Sequence, residues 1–102
     1  MTLNEYQELI KHFRLTTANK TYVLLGLVGE VGELYSKLAK EIRDNKIVDH
    51  EDIEKELGDI LWFVAALASD FDLKLDKVAH KNIDKLNGRK QRGVLGGSGD
   101  NR

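Results

Sequence analysis

The 102-residue chain contains no cysteine and no proline. Without thiols there is no disulfide framework, thiolate nucleophile, zinc knuckle or iron–sulfur site. The three histidines, His12, His50 and His80, are scattered and form no H-x-x-H or H-E-x-x-H pair. A histidine-based zinc centre is therefore not expected. The absence of proline removes the commonest helix breaker and suits long, uninterrupted helices. Long apolar runs are lacking too. The longest, Ile60 to Ala68, has nine residues, less than half of the roughly 20 needed to cross a bilayer. The start of the chain does not combine a charged stretch, an apolar run and a small-residue cleavage site. The expectation is a cytoplasmic protein with no membrane partner.

Of what is present, charge is the most telling. The formal net charge is only −1, but it is unevenly spread. Residues 1–73 carry eight Lys/Arg against fourteen Asp/Glu, a net −6, whereas residues 74–102 carry eight against three, a net +5. An acidic body followed by a basic end suggests either nucleic-acid contact by the end or one site that uses both signs. The basic end lacks interleaved aromatics and any groove-binding motif, so nucleic acid is not the expected partner.

Hydrophobic spacing predicts four helices and no strand. Thr2-Leu3-Asn4-Glu5 reads as a capping box that opens a first helix over 3–14. A second helix is expected over 20–45, interrupted by Gly26, Gly29 and Gly32, each about 1 kcal/mol worse than alanine in a helix. Such glycines suggest that something approaches closely. Asp49 is an N-cap for a third helix ending near Asp70. A fourth runs over 75–90. Residues 1–92 thus make one helical domain, and the glycine-rich stretch 93–102 makes a tail expected to be mobile without ligand. The fold class is all-α, a four-helix chain. The two middle helices are apolar on more than one face, which one short chain cannot cover. An oligomeric bundle, a homodimer or homotetramer, is expected, with these helices at the subunit interface.

Four carboxylates stand out against this pattern. Glu30 and Glu33 are i and i+3 on the second helix, and Glu56 and Asp59 are i and i+3 on the third. Each pair therefore lies on one helix face. Single pairs of this kind are usually solvated, but both of these sit beside the most apolar stretch of their helix. Four clustered acids need compensating positive charge. A hard divalent cation suits carboxylate oxygens best and keeps waters for phosphates, which points to Mg²⁺, with Mn²⁺ as a substitute. A di-iron bundle instead asks for Glu-x-x-His on two helices, and residues 33 and 59 are both carboxylates.

At these residues the sequence resembles the MazG-like, all-α nucleoside triphosphate pyrophosphohydrolases. Their signature, E-x-x-E followed after a spacer by E-x-x-D, reads here Glu30-Val31-Gly32-Glu33 and Glu56-Leu57-Gly58-Asp59, with 22 residues between. The downstream N-x-x-K-L-x-x-R is present as Asn82, Lys85, Leu86 and Arg89. The chain departs from many members at Gly29, where a further glutamate often opens the first motif.

The resemblance implies cleavage of a (d)NTP between its α- and β-phosphates to a nucleoside monophosphate and pyrophosphate, with cleansing of the nucleotide pool as the expected role. It implies Glu30, Glu33, Glu56 and Asp59 as metal ligands and Glu33 as general base. Lys85 and Arg89, i and i+4 on the fourth helix, would meet the phosphates and the charge on the leaving pyrophosphate. Asn82 would bind phosphate or sugar. Lys37 is a further phosphate candidate, Trp62 a base-stacking candidate, and Arg102 a cation that the tail could bring to phosphate. Tyr6 and Phe13 are expected in the core, with part of a base pocket as the alternative. Phosphoribosyl-ATP pyrophosphatase and a non-catalytic helical binding module are the alternative readings.

Overall fold

Thr2 caps the first helix as its box predicts, its Oγ1 accepting from the Glu5 backbone N–H at 3.0 Å. In the computed structural model, which describes residues 1–102, this helix (α1) spans Leu3–Leu9. The expected continuation to residue 14 is instead a 3₁₀ turn over Ile10–Phe13. Arg14 then turns to extended backbone. Its guanidinium makes a bidentate pair with Asp70 at 2.9 and 3.0 Å and donates to the Ala18 carbonyl at 2.9 Å. Phe13 does not join the core as expected, because the 3₁₀ turn leaves it outside; it is 75% exposed.

Asn19 caps α2 (Lys20–Asp44) through a bond from the Tyr22 N–H, and the helix stops at Asn45 in the left-handed region (φ 52°). Asp49 caps α3 (His50–Asp70), as its position before Glu51 and Asp52 predicts. The short link between them folds α2 and α3 into a helical hairpin, the main packing of the fold. Of the three α2 glycines, only Gly26 marks a close approach. A Cβ there would run into the Phe63 ring, whereas at Gly29 and Gly32 it would meet nothing within 4 Å.

The N-terminus of α4 (Leu75–Gln91) is capped from another element. Lys74 provides no side-chain cap. Gln7 of α1 accepts from the Leu75 N–H at 2.8 Å and donates to Leu73 O and Ser69 Oγ, while Asn4 accepts from the Asp76 N–H at 3.0 Å. Thus α1 ties the start of α4 to the end of α3, and α4 packs on α1.

The core sits at this end of the hairpin, built on Ile10, Val23, Phe63, Ala65, Ala66 and Leu75, with Tyr6 packed against it. Only 11 of 102 residues are buried. The radius of gyration is 16.6 Å, against about 13 Å for a compact domain of this size. Beyond the core, α2 exposes an apolar stripe that includes Val28 (72%), Tyr35 (73%) and Ile42 (85%), continued on α3 by Leu57 and Leu61. No helix is long and apolar enough to cross a membrane.

Candidate active site

The hairpin brings the two acidic pairs face to face. One carboxylate oxygen from each of Glu30, Glu33 and Glu56 lies within 4.8 Å of the others. Glu56 is buried, Glu30 half-buried and Glu33 exposed. Asp59, one turn beyond Glu56, stays outside that group. It is near enough for its charge to act on Glu30 and on Tyr6 of α1.

The charges are unequally compensated. Lys37 Nζ lies 2.9 Å from Glu56 Oε1. That bond, opposed by burial, holds the Glu56 carboxyl below the ordinary carboxylate range. Glu30 has no cation. Burial first, then the charges of Glu33, Asp59 and Glu56, push its carboxyl up. Burial and then Asp59 raise the Tyr6 phenol. Glu30 Oε2 and Glu56 Oε2 are both buried without a hydrogen-bond partner. Buried carboxylate oxygens ordinarily have partners. Two orphaned oxygens in an all-carboxylate cluster have the donor chemistry that Mg²⁺ or Mn²⁺ takes.

The basic candidates lie elsewhere in the single chain. Asn82 and Lys85 line a groove of about 770 Å³ along α4, together with Lys74, Lys77 and Lys81, and none of the four acids lines it. Arg89 is buried, with its Nη2 donating to the Asp100 carbonyl at 2.9 Å. Neither Lys85 nor Arg89 pairs with Glu30, Glu33, Glu56 or Asp59. Arg102 is engaged with carbonyls of its own segment. Trp62 packs against the core, edge-on to Phe63 at 5.0 Å. His80 is exposed.

The contact of Lys37 with Glu56 has a signal in the sequence, since Lys37 is i+4 from Glu33 and shares its face. The contact of Arg89 with Asp100 has none, because it depends on how the glycine-rich segment turns back.

Residues 18–94 match the family model described as the MazG nucleotide pyrophosphohydrolase domain. The chain is also similar to the gene 37 protein of Mycobacterium phage L5. The two are 48% identical over 86 residues, covering 80% of this chain and 75% of the phage protein. No solved structure matches the chain. The family match spans both acidic pairs and the helical hairpin that joins them, and by it the chain belongs to the MazG nucleotide pyrophosphohydrolase domain family.

Proposed function

We propose that the protein is a Mg²⁺-dependent nucleoside triphosphate pyrophosphohydrolase that cleaves a (d)NTP between the α- and β-phosphates, with a role in nucleotide-pool cleansing. The observation that carries this reading is the pair of buried, unpartnered oxygens of Glu30 and Glu56 beside Glu33. Glu30, Glu33, Glu56 and Asp59 are the residues that would hold the cation. Bound there, it would neutralise phosphate charge and lower the pKa of a water.

The chain's own residues supply the rest. Glu33, the exposed member of the cluster, accepts the proton of the attacking water. The water's oxygen bonds to phosphorus as the α–β anhydride bond breaks, and the electron pair leaves on pyrophosphate. Lys85 and Arg89 stabilise charge on the phosphates and the leaving group, and Asn82 orients phosphate or sugar. Lys37 keeps Glu56 ionised while it is paired. Trp62 is the candidate for contact with the base.

A homodimer or homotetramer fits this reading. The apolar stripe on α2 and α3 is uncovered in one chain, and the bases of α4 are not paired with the acids. A second copy packed on that stripe would cover it and bring bases of one chain toward acids of the other.

The test is pyrophosphate release over a panel of canonical and modified (d)NTPs and phosphoribosyl-ATP, with Mg²⁺ or Mn²⁺. Wild type should release pyrophosphate from at least one (d)NTP, and Glu33→Gln and Asp59→Asn should be folded and nearly inactive. Turnover of phosphoribosyl-ATP alone would favour that substrate. No release from any nucleotide, or full activity in both variants, would overturn the proposal.

A further inference from the structure

The glycine-rich segment after α4 is folded; its hydrogen bonds gather on Arg102, and its Asp100 meets Arg89. The helix ends in a six-to-one turn, with the Val94 N–H bonded to Arg89 O at 2.9 Å and the Gly93 N–H to Lys90 O at 3.1 Å. Gly93, Gly97 and Gly99 have φ of 70°, 91° and 93°, the left-handed region that favours glycine. These residues turn the chain back on itself. The segment makes these turns with hydrogen bonds of its own.

Arg102 holds the turn from inside. Its Nε donates to Val94 O and Gly96 O at 3.0 and 3.1 Å, its Nη2 to Leu95 O at 3.2 Å, and its Nη1 to Gly99 O. Arg92 Nη2 donates to the main-chain oxygen of Arg102 at 2.8 Å. The closed segment thereby sets Asp100 against Arg89.

The pairing of Arg89 is incomplete. Its side chain is 7% exposed, yet Nη2 meets only the Asp100 carbonyl and, at 3.8 Å, a carboxylate oxygen. Arg89 Nε is buried and has no partner. The Asp100 side chain is 98% exposed, so its charge is largely screened. A phosphate oxyanion, by contrast, matches a guanidinium edge with two parallel bonds. Residues 95–102 also lie beyond the span of the family match, whereas Arg89 lies within it.

We infer that residues 95–102 form a latch that occupies the anion position of Arg89 and that the phosphates of the nucleotide must displace. The latch rests on the proposed function insofar as that reading places Arg89 at the phosphates. A latch that competes for one cation lowers apparent phosphate affinity by the fraction of molecules in which it is closed.

The test is calorimetric binding of inorganic tripolyphosphate to the full chain without metal, with amide exchange of residues 95–102 measured in parallel. Arg102→Ala removes the guanidinium that gathers the four carbonyls. Gly99→Ala opens the turn through the backbone alone, since a Cβ there touches nothing within 4 Å while φ of 93° strains any residue but glycine. Both should bind tripolyphosphate about three- to tenfold more tightly than wild type, and saturating tripolyphosphate should speed exchange of the wild-type segment. Unchanged affinity in both variants would overturn the latch. Weaker binding in Arg102→Ala would also overturn it, placing Arg102 on the phosphate instead. Hydrolysis is not part of the readout, so a wild type that releases no pyrophosphate but shows tighter binding in both variants contradicts only the proposed reaction. Hydrolysis with unchanged affinity contradicts only the latch.

Discussion

Glu30 illustrates how a group suited to binding a cation works against the fold that carries it. Its carboxyl is pushed up by burial and by three neighbouring acids. An acid whose folded pKa exceeds its unfolded one binds its proton more tightly in the native state. Its contribution to stability is therefore lost as pH rises from the ordinary carboxylate value through the raised one. Glu56 has the opposite shift, so what it contributes is present above the ordinary value and lost as pH falls through its lowered one. Glu30→Gln removes the first dependence. In EDTA at neutral pH its melting temperature should exceed that of wild type by a few degrees, about what 1 kcal/mol gives in a domain of this size. Pyrophosphate release, the reaction proposed above, should be nearly abolished in this variant. Thermal melts at several pH values check the sign; a lower melting temperature for Glu30→Gln at neutral pH would contradict it.

Among the elements, the α2–α3 hairpin depends on a contact that only one of its glycines makes. At Gly26 the Phe63 ring fills the space a side chain would take. Gly26→Ala should therefore cost about 1–3 kcal/mol through overpacking. Gly29→Ala should be neutral or up to about 1 kcal/mol stabilising, since alanine is the better helix former. Denaturant midpoints of the two variants test this. The regular spacing of Gly26, Gly29 and Gly32 does not distinguish these positions, because what separates them is the ring on the opposite helix.

The same limit governs what can be read of the elements in general. Local chemistry shows in the sequence: Thr2, Asn19 and Asp49 each cap the helix they precede. Asn19 lies in a stretch where only cap candidates are legible, while Thr2 and Asp49 are specific. Long-range chemistry does not show. The end of α1 yields to a 3₁₀ turn followed by the Arg14–Asp70 pair, 56 residues apart. The caps of α4 come from Asn4 and Gln7, 72 and 68 residues upstream of the amides they accept from. The acidic site is legible because i, i+3 spacing fixes each pair on one face, and the hairpin then needs only to oppose the faces. The contact of Arg89 with Asp100 is not, because it depends on three glycine turns and one arginine closing over several carbonyls.

At the scale of the molecule, few buried residues and a radius of gyration well above that of a compact domain describe a chain with apolar surface left over. Sedimentation should find a dimer or tetramer, and Val28→Glu with Tyr35→Glu should shift it toward monomer. If bases and acids meet across subunits, Glu33→Gln and Lys85→Ala should each be nearly inactive alone, and mixing them should restore part of the activity through hybrid sites. Monomeric wild type would contradict the assembly, and no recovery on mixing would contradict the shared site.

Everything proposed for the active site turns on the acids of α2 and α3 holding a divalent cation that serves hydrolysis at the α–β anhydride. Phosphorus NMR of the products formed from the preferred (d)NTP tests this most directly, with Mg²⁺ and with excess EDTA. The expected result is a nucleoside monophosphate and pyrophosphate in equal amounts with Mg²⁺, and no turnover in EDTA. A nucleoside diphosphate with orthophosphate, or equal turnover in EDTA, would contradict it.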